Sequence, residues 1–339
     1  MSETMRAVLI KDGKGPVENL YLGEAPKPTP KQNEVLVKIK AFGLNRMDIV
    51  QRLGFYPVPA GASPILGVEF SGTVEEVGSQ SGNWKVGDEV LGLASGGAYA
   101  EYIVLPGTHL LHKPKHLSWV EAASIPENFL TAFQALFLVA EFKRGESAMI
   151  HAGASGVGVA AIQLCRYFDA SSVTATASTP SKLSWLLSMN NGATHAANYK
   201  SEDFSAVAKT ATNGKGVDVI VDPVGQSHWH KNIDSLAMDG RMTLLAFLSG
   251  AEIQGANLQP ILYKRLRIQG STLRSRSVEY QADLIQRFAK ECLGDITGEK
   301  GDGKLKTYIH EVFPWQDIQK ATREMEADKN SGKIIVEIV

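Results

Sequence analysis

The sequence predicts an α/β protein of two domains, a β-rich N-terminal domain and a doubly wound parallel sheet. Three observations lead to this prediction. Residues 5–105 contain strand-like runs separated by glycines, as a compact β barrel requires. From Ala148 onwards, strand-like and helix-like runs alternate, which is typical of a parallel sheet covered by helices. The chain has 339 residues, more than one average domain.

In the N-terminal half, alternating apolar and polar residues predict strands. Val35, Val37 and Ile39 alternate with positions 36, 38 and 40, of which the last two are lysines. Further strand-like runs lie at 68–77, 89–91 and 99–105. Ser118 with Glu121 three residues later forms a capping-box signature for a helix through Ala123. Pro126 interrupts that helix, and a second helical run covers 129–142.

The C-terminal half predicts alternating strands and helices. The predicted strands are 148–150, 173–177, 196–198, 217–222, 242–247 and 266–272. The predicted helices begin after the glycines at 153–158, at Thr179-Pro180 through Met189, at 204–209, at 230–238 with a stop at Gly240, and at 280–292. A glycine-rich, charged loop at 294–304 is expected to be mobile, and a last helix and strand follow it.

Composition and charge narrow the class of protein. The net charge is −1 and no run of Lys and Arg occurs, so no nucleic-acid partner is expected. The two cysteines are too few for a disulfide framework, and Cys165 lies on an apolar helix face where a buried, inert thiol is expected. The N-terminus lacks the apolar core of a secretory signal, and Ala135–Ala140 is too short to span a bilayer. We therefore expect a cytoplasmic protein that does not enter a membrane.

A glycine-rich turn after the strand at 148–150 is the strongest motif. Gly153, Ser155 and Gly158 follow the spacing of the dinucleotide fingerprint, with Ser155 in place of the middle glycine and Gly156 after it. The apolar helix that follows leaves its N-terminus open to an anion such as a pyrophosphate. The alternative is an ordinary tight turn into a helix.

The type of dinucleotide follows from the next strand end. An NAD site usually carries Asp or Glu about 20 residues after the glycine turn, but this chain has Ala177 and Ser178 there. Without that carboxylate a 2′-phosphate fits, and Lys182 offers positive charge one turn later. The sequence therefore predicts NADPH. The alternative for Lys182 is a solvated helix lysine.

Several stretches together carry a family resemblance: Gly43–Asp48 with Gln51, Arg52 and Tyr56, Ile125–Phe133, Ile150–Gly158, Asn198–Lys200 and Leu273–Arg276. Taken jointly they resemble the zinc-free quinone oxidoreductases of the medium-chain dehydrogenase/reductase superfamily, most closely the tumour-suppressor-inducible NADPH quinone oxidoreductase subgroup. The resemblance covers nearly the whole chain. It implies a GroES-like β-barrel domain at 1–128, completed by 275–339, and a Rossmann domain at 129–274.

The resemblance also implies the cofactor contacts. Residues matching Ser178, Lys182 and Tyr199 contact the 2′-phosphate in the family, although Tyr199 alone would more often be a packing residue. The resemblance also implies contacts with the nicotinamide and the diphosphate. For Phe247 and Leu273 the alternative is a place in the hydrophobic core. The full set of cofactor contacts implied is Asn45, Thr131, Gly153, Ser155, Gly156, Val157, Gly158, Ser178, Lys182, Tyr199, Phe247, Leu248, Leu273 and Arg274.

No catalytic zinc is expected. Asn45 stands where zinc-dependent relatives have a cysteine, Val68 where they have a histidine, and Glu127 near the third ligand. An amide, an isopropyl group and one carboxylate do not make a nitrogen and sulfur site for Zn²⁺. His228 and His230 form at most a weak pair and are taken as surface histidines without a role.

The implied activity is direct hydride transfer from NADPH to a quinone or similar conjugated carbonyl in the cleft between the two domains. Asn45 and Tyr56 are the candidate hydrogen-bond donors to the acceptor, and Ser155 is a third candidate catalytic residue near the cofactor. The alternative for Tyr56 is a lid aromatic that only shapes the pocket, and the alternative for Ser155 is a residue that holds the cofactor in position. The alternatives are an enone, alkenal or enoyl thioester reductase, and a non-catalytic NADPH-binding protein such as a crystallin-like or RNA-binding member. A homodimer through the sheet edge at 266–272 is also expected.

Overall fold

The computed structural model of the chain describes residues 3–339 and divides them into two compact units. The first unit comprises the chain up to residue 127 together with 273–301 and 307–339. The second comprises 128–272 and the short segment 302–306. The sequence placed the divisions at 128/129 and 274/275, and it assigned the whole of 275–339 to the first domain. The structure differs in grouping 302–306 with the second unit.

Strands and helices are numbered here in chain order. The strands are β1 Thr4–Ile10, β2 Leu20–Pro26, β3 Glu34–Gly43, β4 Glu69–Val77, β5 Glu89–Leu93, β6 Tyr102–Pro106, β7 Leu110–His112, β8 Ser147–Ile150, β9 Ser172–Ala177, β10 His195–Asn198, β11 Val217–Asp222, β12 Leu236–Leu244, β13 Arg267–Gly270, β14 Ile296–Gly298, β15 Leu305–Thr307, β16 Ile309–Pro314 and β17 Lys333–Glu337. The helices are α1 Arg46–Arg52, α2 Trp119–Ala123, α3 Pro126–Phe133, α4 Gly156–Tyr167, α5 Pro180–Ser188, α6 Phe204–Ala211, α7 Trp229–Ser235, α8 Gln259–Tyr263, α9 Val278–Glu291 and α10 Ile318–Glu326.

The first unit is built around β3. This strand pairs antiparallel with β4, with β6 and with the C-terminal strand β17, so the end of the chain completes the sheet that the N-terminal residues begin. The order of the sheet is β16-β17-β3-β4-β5-β7, with β6 also on β3. The inward positions of β3 and β4, together with Trp315 and Phe313, form one buried apolar core.

The second unit holds a six-stranded sheet in the order β10-β9-β8-β11-β12-β13, and every pairing in it is parallel. Parallel strands are buried on both faces when helices cover them, and β8, β9 and β11 are accordingly buried along nearly their whole length. In such a sheet all carboxyl ends meet at one edge, and ligands bind there. The predicted α/β class, with a β-rich unit and a doubly wound parallel sheet, is confirmed.

Helix α1 was missed, because the sequence prediction read 5–105 as β throughout. The helix begins after Asn45, whose backbone N–H donates to the carboxylate of Asp48 at 2.9 Å. A carboxylate three residues after the N-cap is a helix-start signal, and it was overlooked among the surrounding strands. At Ser118 the predicted capping box is confirmed, since Glu121 and Ser118 exchange hydrogen bonds of 2.8 and 3.2 Å. Pro126 begins α3 rather than lying between helices.

Two boundaries in the second unit were wrong. Residues 236–238 belong to β12 and not to a helix, because Leu236 pairs with Val217 of β11, and Gly240 lies inside that strand. The strand predicted to reach Phe247 ends at Leu244. Local helix propensity here gives way to sheet pairing. The loop predicted at 294–304 contains the short strand β14.

By length and composition, the helical stretch Trp119–Val139 is apolar enough to cross a membrane. Of its most apolar window, 78% is buried within the protein. Burial of this kind is the pattern of a core helix.

Candidate functional site

The glycine turn lies between β8 and α4, at the carboxyl edge of the parallel sheet. Ser155 is the N-cap of α4, and its hydroxyl oxygen accepts the N–H of Gly158 at 3.1 Å. Among the described residues no protein acceptor serves the N–H groups of Gly156 and Val157. Two backbone donors at the positive end of a twelve-residue helix therefore point to an anion.

Each glycine of the turn is required by a close approach. A Cβ on Gly158 would lie 2.4 Å from the carbonyl oxygen of Ala152, and one on Gly156 would lie 2.5 Å from Asn128 Oδ1. At Gly153 a Cβ would press against Ala175 at 3.1 Å. The turn can therefore pack against the next strand only without these side chains.

The predicted 2′-phosphate residues come together at the ends of β9 and β10. Ser178 follows β9, and Tyr199 follows β10 with its N–H donating to Ala177 O at 3.3 Å. Lys182 lies in the first turn of α5, whose N-cap Thr179 accepts the Lys182 N–H at 3.3 Å. The structure therefore gathers these residues beside the strand that neighbours the glycine turn.

Beneath this edge lies a buried polar chain that the sequence analysis did not identify. His151 follows β8, accepts from Thr176 Oγ1 at 2.9 Å and donates to Asn232 Oδ1 at 2.7 Å. Asn232 in turn donates to Asp222 Oδ2 at 2.9 Å. Burial lowers the pKa of His151 to about 4 and raises the pKa of Asp222. Burial thus keeps His151 neutral, and its hydrogen bonds hold it in one tautomer at the carboxyl edge of the parallel sheet.

His228 is not the surface residue that the sequence predicted. It is buried, with its ring 4.7 Å from that of His151 and 5.3 Å from that of Tyr199, and burial lowers its pKa to about 4. His230 is exposed, as predicted. The two side chains differ in burial because His228 lies in the turn before α7, whereas His230 lies on the exposed side of α7. Cys165 is buried as predicted, and burial raises the pKa of its thiol far above the usual range.

In the first unit, Asn45 belongs to a buried ionic network. Its Nδ2 donates to Glu69 Oε1 at 2.9 Å, and its Oδ1 accepts from the ammonium of Lys333 at 2.7 Å. Lys333 Nζ also lies 2.5 Å from Glu69 Oε1, and Glu69 Oε2 accepts the N–H of Glu127 at 2.8 Å. Glu69 and Lys333 are almost fully buried. The second Nδ2 proton of Asn45 is directed at Gly43 O, 3.4 Å away, so both amide protons point at protein acceptors.

Asp48 lies behind this network. Its carboxylate accepts from the N–H groups of Asn45 and Gly67 and from Tyr99 Oη at 3.0 Å. Burial nevertheless raises the pKa of Asp48 to about 6, because desolvation outweighs these three bonds.

Tyr56 and Arg274 are the other polar residues of the first unit that the sequence singled out. The guanidinium carbon of Arg274 lies 5.5 Å from the centre of the Tyr56 ring. Arg274 donates to Ser95 O at 2.8 Å and to Gln51 Oε1 at 2.6 Å. Burial, followed by the nearby carboxylate of Glu127, raises the pKa of Tyr56, so its phenol stays protonated at neutral pH.

The remaining predicted residues divide between the units. Thr131 lies in α3, and Phe247 and Leu248 are half exposed after the end of β12, all in the second unit. Leu273 groups with the first unit, as Arg274 does, and is buried. Of the candidate catalytic residues, Asn45 and Tyr56 belong to the first unit and Ser155 to the second.

Comparisons with known proteins identify the family. Residues 31–115 match the alcohol dehydrogenase GroES-like domain, and residues 156–290 match a family described as zinc-binding dehydrogenase. A quinone oxidoreductase of Pseudomonas aeruginosa is 32% identical, over 91% of this chain and 92% of that protein. The chain belongs to the medium-chain dehydrogenase/reductase superfamily.

Two further relatives of this medium-chain dehydrogenase/reductase have other names. The zebrafish (Danio rerio) synaptic vesicle membrane protein VAT-1 homolog is 31% identical, over 98% of this chain and 70% of that protein. The crystal structure of the CurK enoyl reductase superposes with a TM-score of 0.84 at 29% identity, over all of both chains. The predicted family is confirmed. The tumour-suppressor-inducible subgroup is compatible with these matches and stays a prediction.

As a medium-chain dehydrogenase/reductase the chain is an oxidoreductase, and the family implies a nicotinamide cofactor. The residues present fit such a cofactor. Glycines keep the turn free of side chains, and the N–H groups of Gly156 and Val157 await an anion. The turn would hold its diphosphate.

The same family implies a catalytic zinc in many members, and the residues present do not fit one. The three counterparts of zinc ligands do gather, since Asn45 and Glu127 both bond to Glu69 and Val68 precedes it. However, the Asn45 oxygen is bonded to the Lys333 ammonium, and Val68 has no ligand atom. A cation of the protein itself therefore lies where a metal would need donors.

Three functional features escaped the sequence analysis. These are the Glu69–Lys333 pair, the His151–Asn232–Asp222 chain and the contact of Gln51 with Arg274. Glu69 and Lys333 each border an apolar strand run, and a charge in such a run is a signal of a buried partner. The partner itself lies more than 250 residues away in the sequence, so it could not be named.

Proposed function

We propose that this protein is a zinc-independent NADPH:quinone oxidoreductase that transfers hydride to quinones or similar conjugated carbonyls. One observation carries the proposal: the Lys333 ammonium is bonded to Asn45 and Glu69, where zinc-dependent relatives would place their metal ligands. The protein then activates its acceptor by hydrogen bonds and fixed charges. The identity of the acceptor draws support from the quinone oxidoreductase that the chain resembles.

NADPH is the proposed cofactor because the end of β9 carries Ala177 and Ser178 in place of an acid. A carboxylate there would repel a 2′-phosphate, whereas Lys182 and the hydroxyl groups of Ser178 and Tyr199 favour it. When bound, the reduced nicotinamide supplies the hydride. Gly156 and Val157 donate to the diphosphate, and Ser155 fixes the helix end that presents these donors.

Among the candidate catalytic residues, Tyr56 is proposed to donate a hydrogen bond to the acceptor, because its phenol keeps its proton. Asn45 is proposed to act differently from the sequence expectation. Since both of its amide protons point at Gly43 and Glu69, it serves as a positioning residue that ties the start of α1 to the buried ion pair. A direct bond from Asn45 to the acceptor would break one of these contacts.

An enone, alkenal or enoyl thioester reductase is the second candidate, favoured by the likeness to CurK enoyl reductase over the whole chain. Both reactions use a hydride and develop charge on a carbonyl oxygen. They differ in the pocket that selects the acceptor.

The test is a parallel measurement of NADPH oxidation with 1,4-benzoquinone, 9,10-phenanthrenequinone, an alkenal and an enoyl thioester. Turnover with the quinones, unchanged after EDTA and with well under one equivalent of zinc per chain, supports the proposal. Preference for the thioester or alkenal supports the second candidate instead. A stoichiometric, EDTA-sensitive metal contradicts zinc independence.

A further inference from the structure

The side chain of Arg274 is a buried cation with neutral partners. Only 6% of the residue is exposed. Its Nε donates to Ser95 O and its Nη1 to the amide oxygen of Gln51, while Nη2 has no acceptor among the described residues. A buried donor without a partner costs free energy in the absence of a ligand.

Two other buried arginines show what the chain does where the charge is structural. Arg241 places Nη2 2.6 Å from the carboxylate of Glu146, and Arg52 is paired with Glu326. For Arg274, no carboxylate lies within ion-pair distance in the part of the chain described. Arg274 therefore has no direct ion pair of the kind that the other two have, and only the more distant carboxylates of Asp48 and Glu127 act on its charge.

Backbone and one aromatic ring enclose the unpartnered nitrogen. A Cβ on Gly96 would lie 3.1 Å from Nη2 and 2.7 Å from Ser63 O, so the backbone at Gly96 closes one side of it. The Tyr56 ring lies on the guanidinium, and it comes from a loop whose next residue towards the N-terminus, Phe55, is 79% exposed. The Tyr56 ring is therefore the side chain that a ligand of Nη2 would displace.

We propose that Arg274 binds the carbonyl oxygen of the acceptor, with Tyr56 as the second donor to the same atom. The proposal rests on the proposed function and deepens it, because it assigns to the Arg274 guanidinium the role that a metal Lewis acid has in zinc-dependent relatives. The reduced nicotinamide, when bound, would supply a hydride to a carbon conjugated with the carbonyl and would itself become oxidised. The C=C electron pair moves towards the carbonyl, its oxygen becomes an anion beside Nη2, and water later supplies the proton. Arg274 is thus a catalytic residue on the acceptor side, whereas the sequence placed it against the cofactor.

The first test uses 4-nitrophenol as a probe of the oxyanion site in the full-length apo protein. Its phenolate is coloured and its neutral form is not, so a titration reports the pKa of the bound phenol. Beside a guanidinium that has no direct ion pair, that pKa is expected to fall by about one unit or more. Arg274→Met is expected to abolish the shift. The matched control Arg276→Met, an exposed arginine two residues along, is expected to retain it.

Gln51→Glu provides a variant that keeps the arginine. It places a carboxylate at the position of an oxygen now 2.6 Å from Nη1, and so neutralises the site. We expect kcat/KM for the quinone to fall about 10- to 100-fold in Arg274→Met and in Gln51→Glu. The dissociation constant of NADPH, measured by fluorescence, is expected to change less than twofold. Circular dichroism at the assay temperature shows that each variant is folded.

The outcomes separate the two proposals. An unshifted nitrophenol, or a shift that survives in Arg274→Met, overturns the role of Arg274. If Arg274→Met weakens NADPH binding but binds nitrophenol normally, Arg274 contacts the cofactor and not the acceptor. If all four acceptors fail with the wild-type protein while the nitrophenol shift is present, the proposed function fails and the oxyanion site stands.

Discussion

The choice between NADPH and NADH is proposed to depend on Lys182. Its ammonium contributes a charge-assisted hydrogen bond to a 2′-phosphate, which NADH lacks. We expect Lys182→Ala to raise the dissociation constant of NADPH by about 10- to 100-fold and to leave that of NADH unchanged. Fluorescence titrations with both cofactors measure this. Lys215→Ala, at an exposed turn, is the control, and equal losses for the two cofactors would show that Lys182 is structural.

The Glu69–Lys333 pair makes a second prediction for single residues. Lys333→Met leaves a fully buried carboxylate without its cation, and we expect the free energy of unfolding to fall by about 3–5 kcal/mol. The double variant Glu69→Gln/Lys333→Met removes both charges and is expected to recover a large part of this loss. Urea unfolding of the single and double variants measures the coupling. Additive losses would show that the two charges act independently.

Among the elements, the turn between β8 and α4 has the narrowest steric limits. A Cβ on Gly158 would meet backbone atoms, Ala152 O at 2.4 Å and Gly153 O at 2.7 Å, and backbone yields less than a side chain. We therefore expect Gly158→Ala to displace the helix N-terminus and to weaken NADPH binding at least about tenfold. Gly294→Ala is the matched control, because no atom lies within 4 Å of its Cβ position. Unchanged binding in Gly158→Ala would show that the donors of this turn do not hold the cofactor.

At the scale of the whole molecule, stability is expected to fall as the pH drops below about 6.5. The pKa of buried His151 is lowered from 6.5 to about 4. Between these two pH values the histidine is protonated in the unfolded chain but neutral in the folded chain, so acidification favours unfolding. This loss amounts to about 3 kcal/mol by pH 4, and His228 acts in the same direction. Asp48 acts in the opposite direction. Its pKa is raised to about 6, so the free-energy cost of burying its charged carboxylate disappears when the carboxylate is protonated. Urea unfolding between pH 7 and pH 4.5 is expected to show a weaker dependence in His151→Gln than in the wild type, and an identical slope would contradict this origin.

A homodimer through the edge of the parallel sheet is also proposed for the whole molecule. β13 is the last strand of that sheet, and its residues are largely exposed. An unpaired edge strand has free backbone hydrogen-bonding groups, and β13 of a second copy related by a twofold axis would pair with them. Light scattering is expected to give twice the monomer mass of 36.7 kDa. Gln269→Asp places like charges near each other across the axis and is expected to weaken the dimer, whereas a wild-type monomer at micromolar concentration rules it out.

The sequence alone determined the parallel sheet, the glycine turn and the family. These rest on local signals, since the turn needs small residues at fixed spacing and buried strands need continuous apolar runs. The sequence also predicted that Asn45 and Glu127 stand where zinc-dependent relatives carry metal ligands, and both bond to Glu69 in the structure. It placed the end of α7 and the end of β12 wrongly, because the pairing of Leu236 with Val217 decides that segment.

Only the tertiary structure decided the chemistry of the polar side chains. The Asn45 amide was expected to face the acceptor, but Lys333, 288 residues later, and Glu69 hold it inside the protein. In the same way Arg274 meets Gln51 and Ser95 rather than a carboxylate. The state of a buried charge depends on partners that folding brings from distant parts of the chain, and sequence spacing carries no record of them.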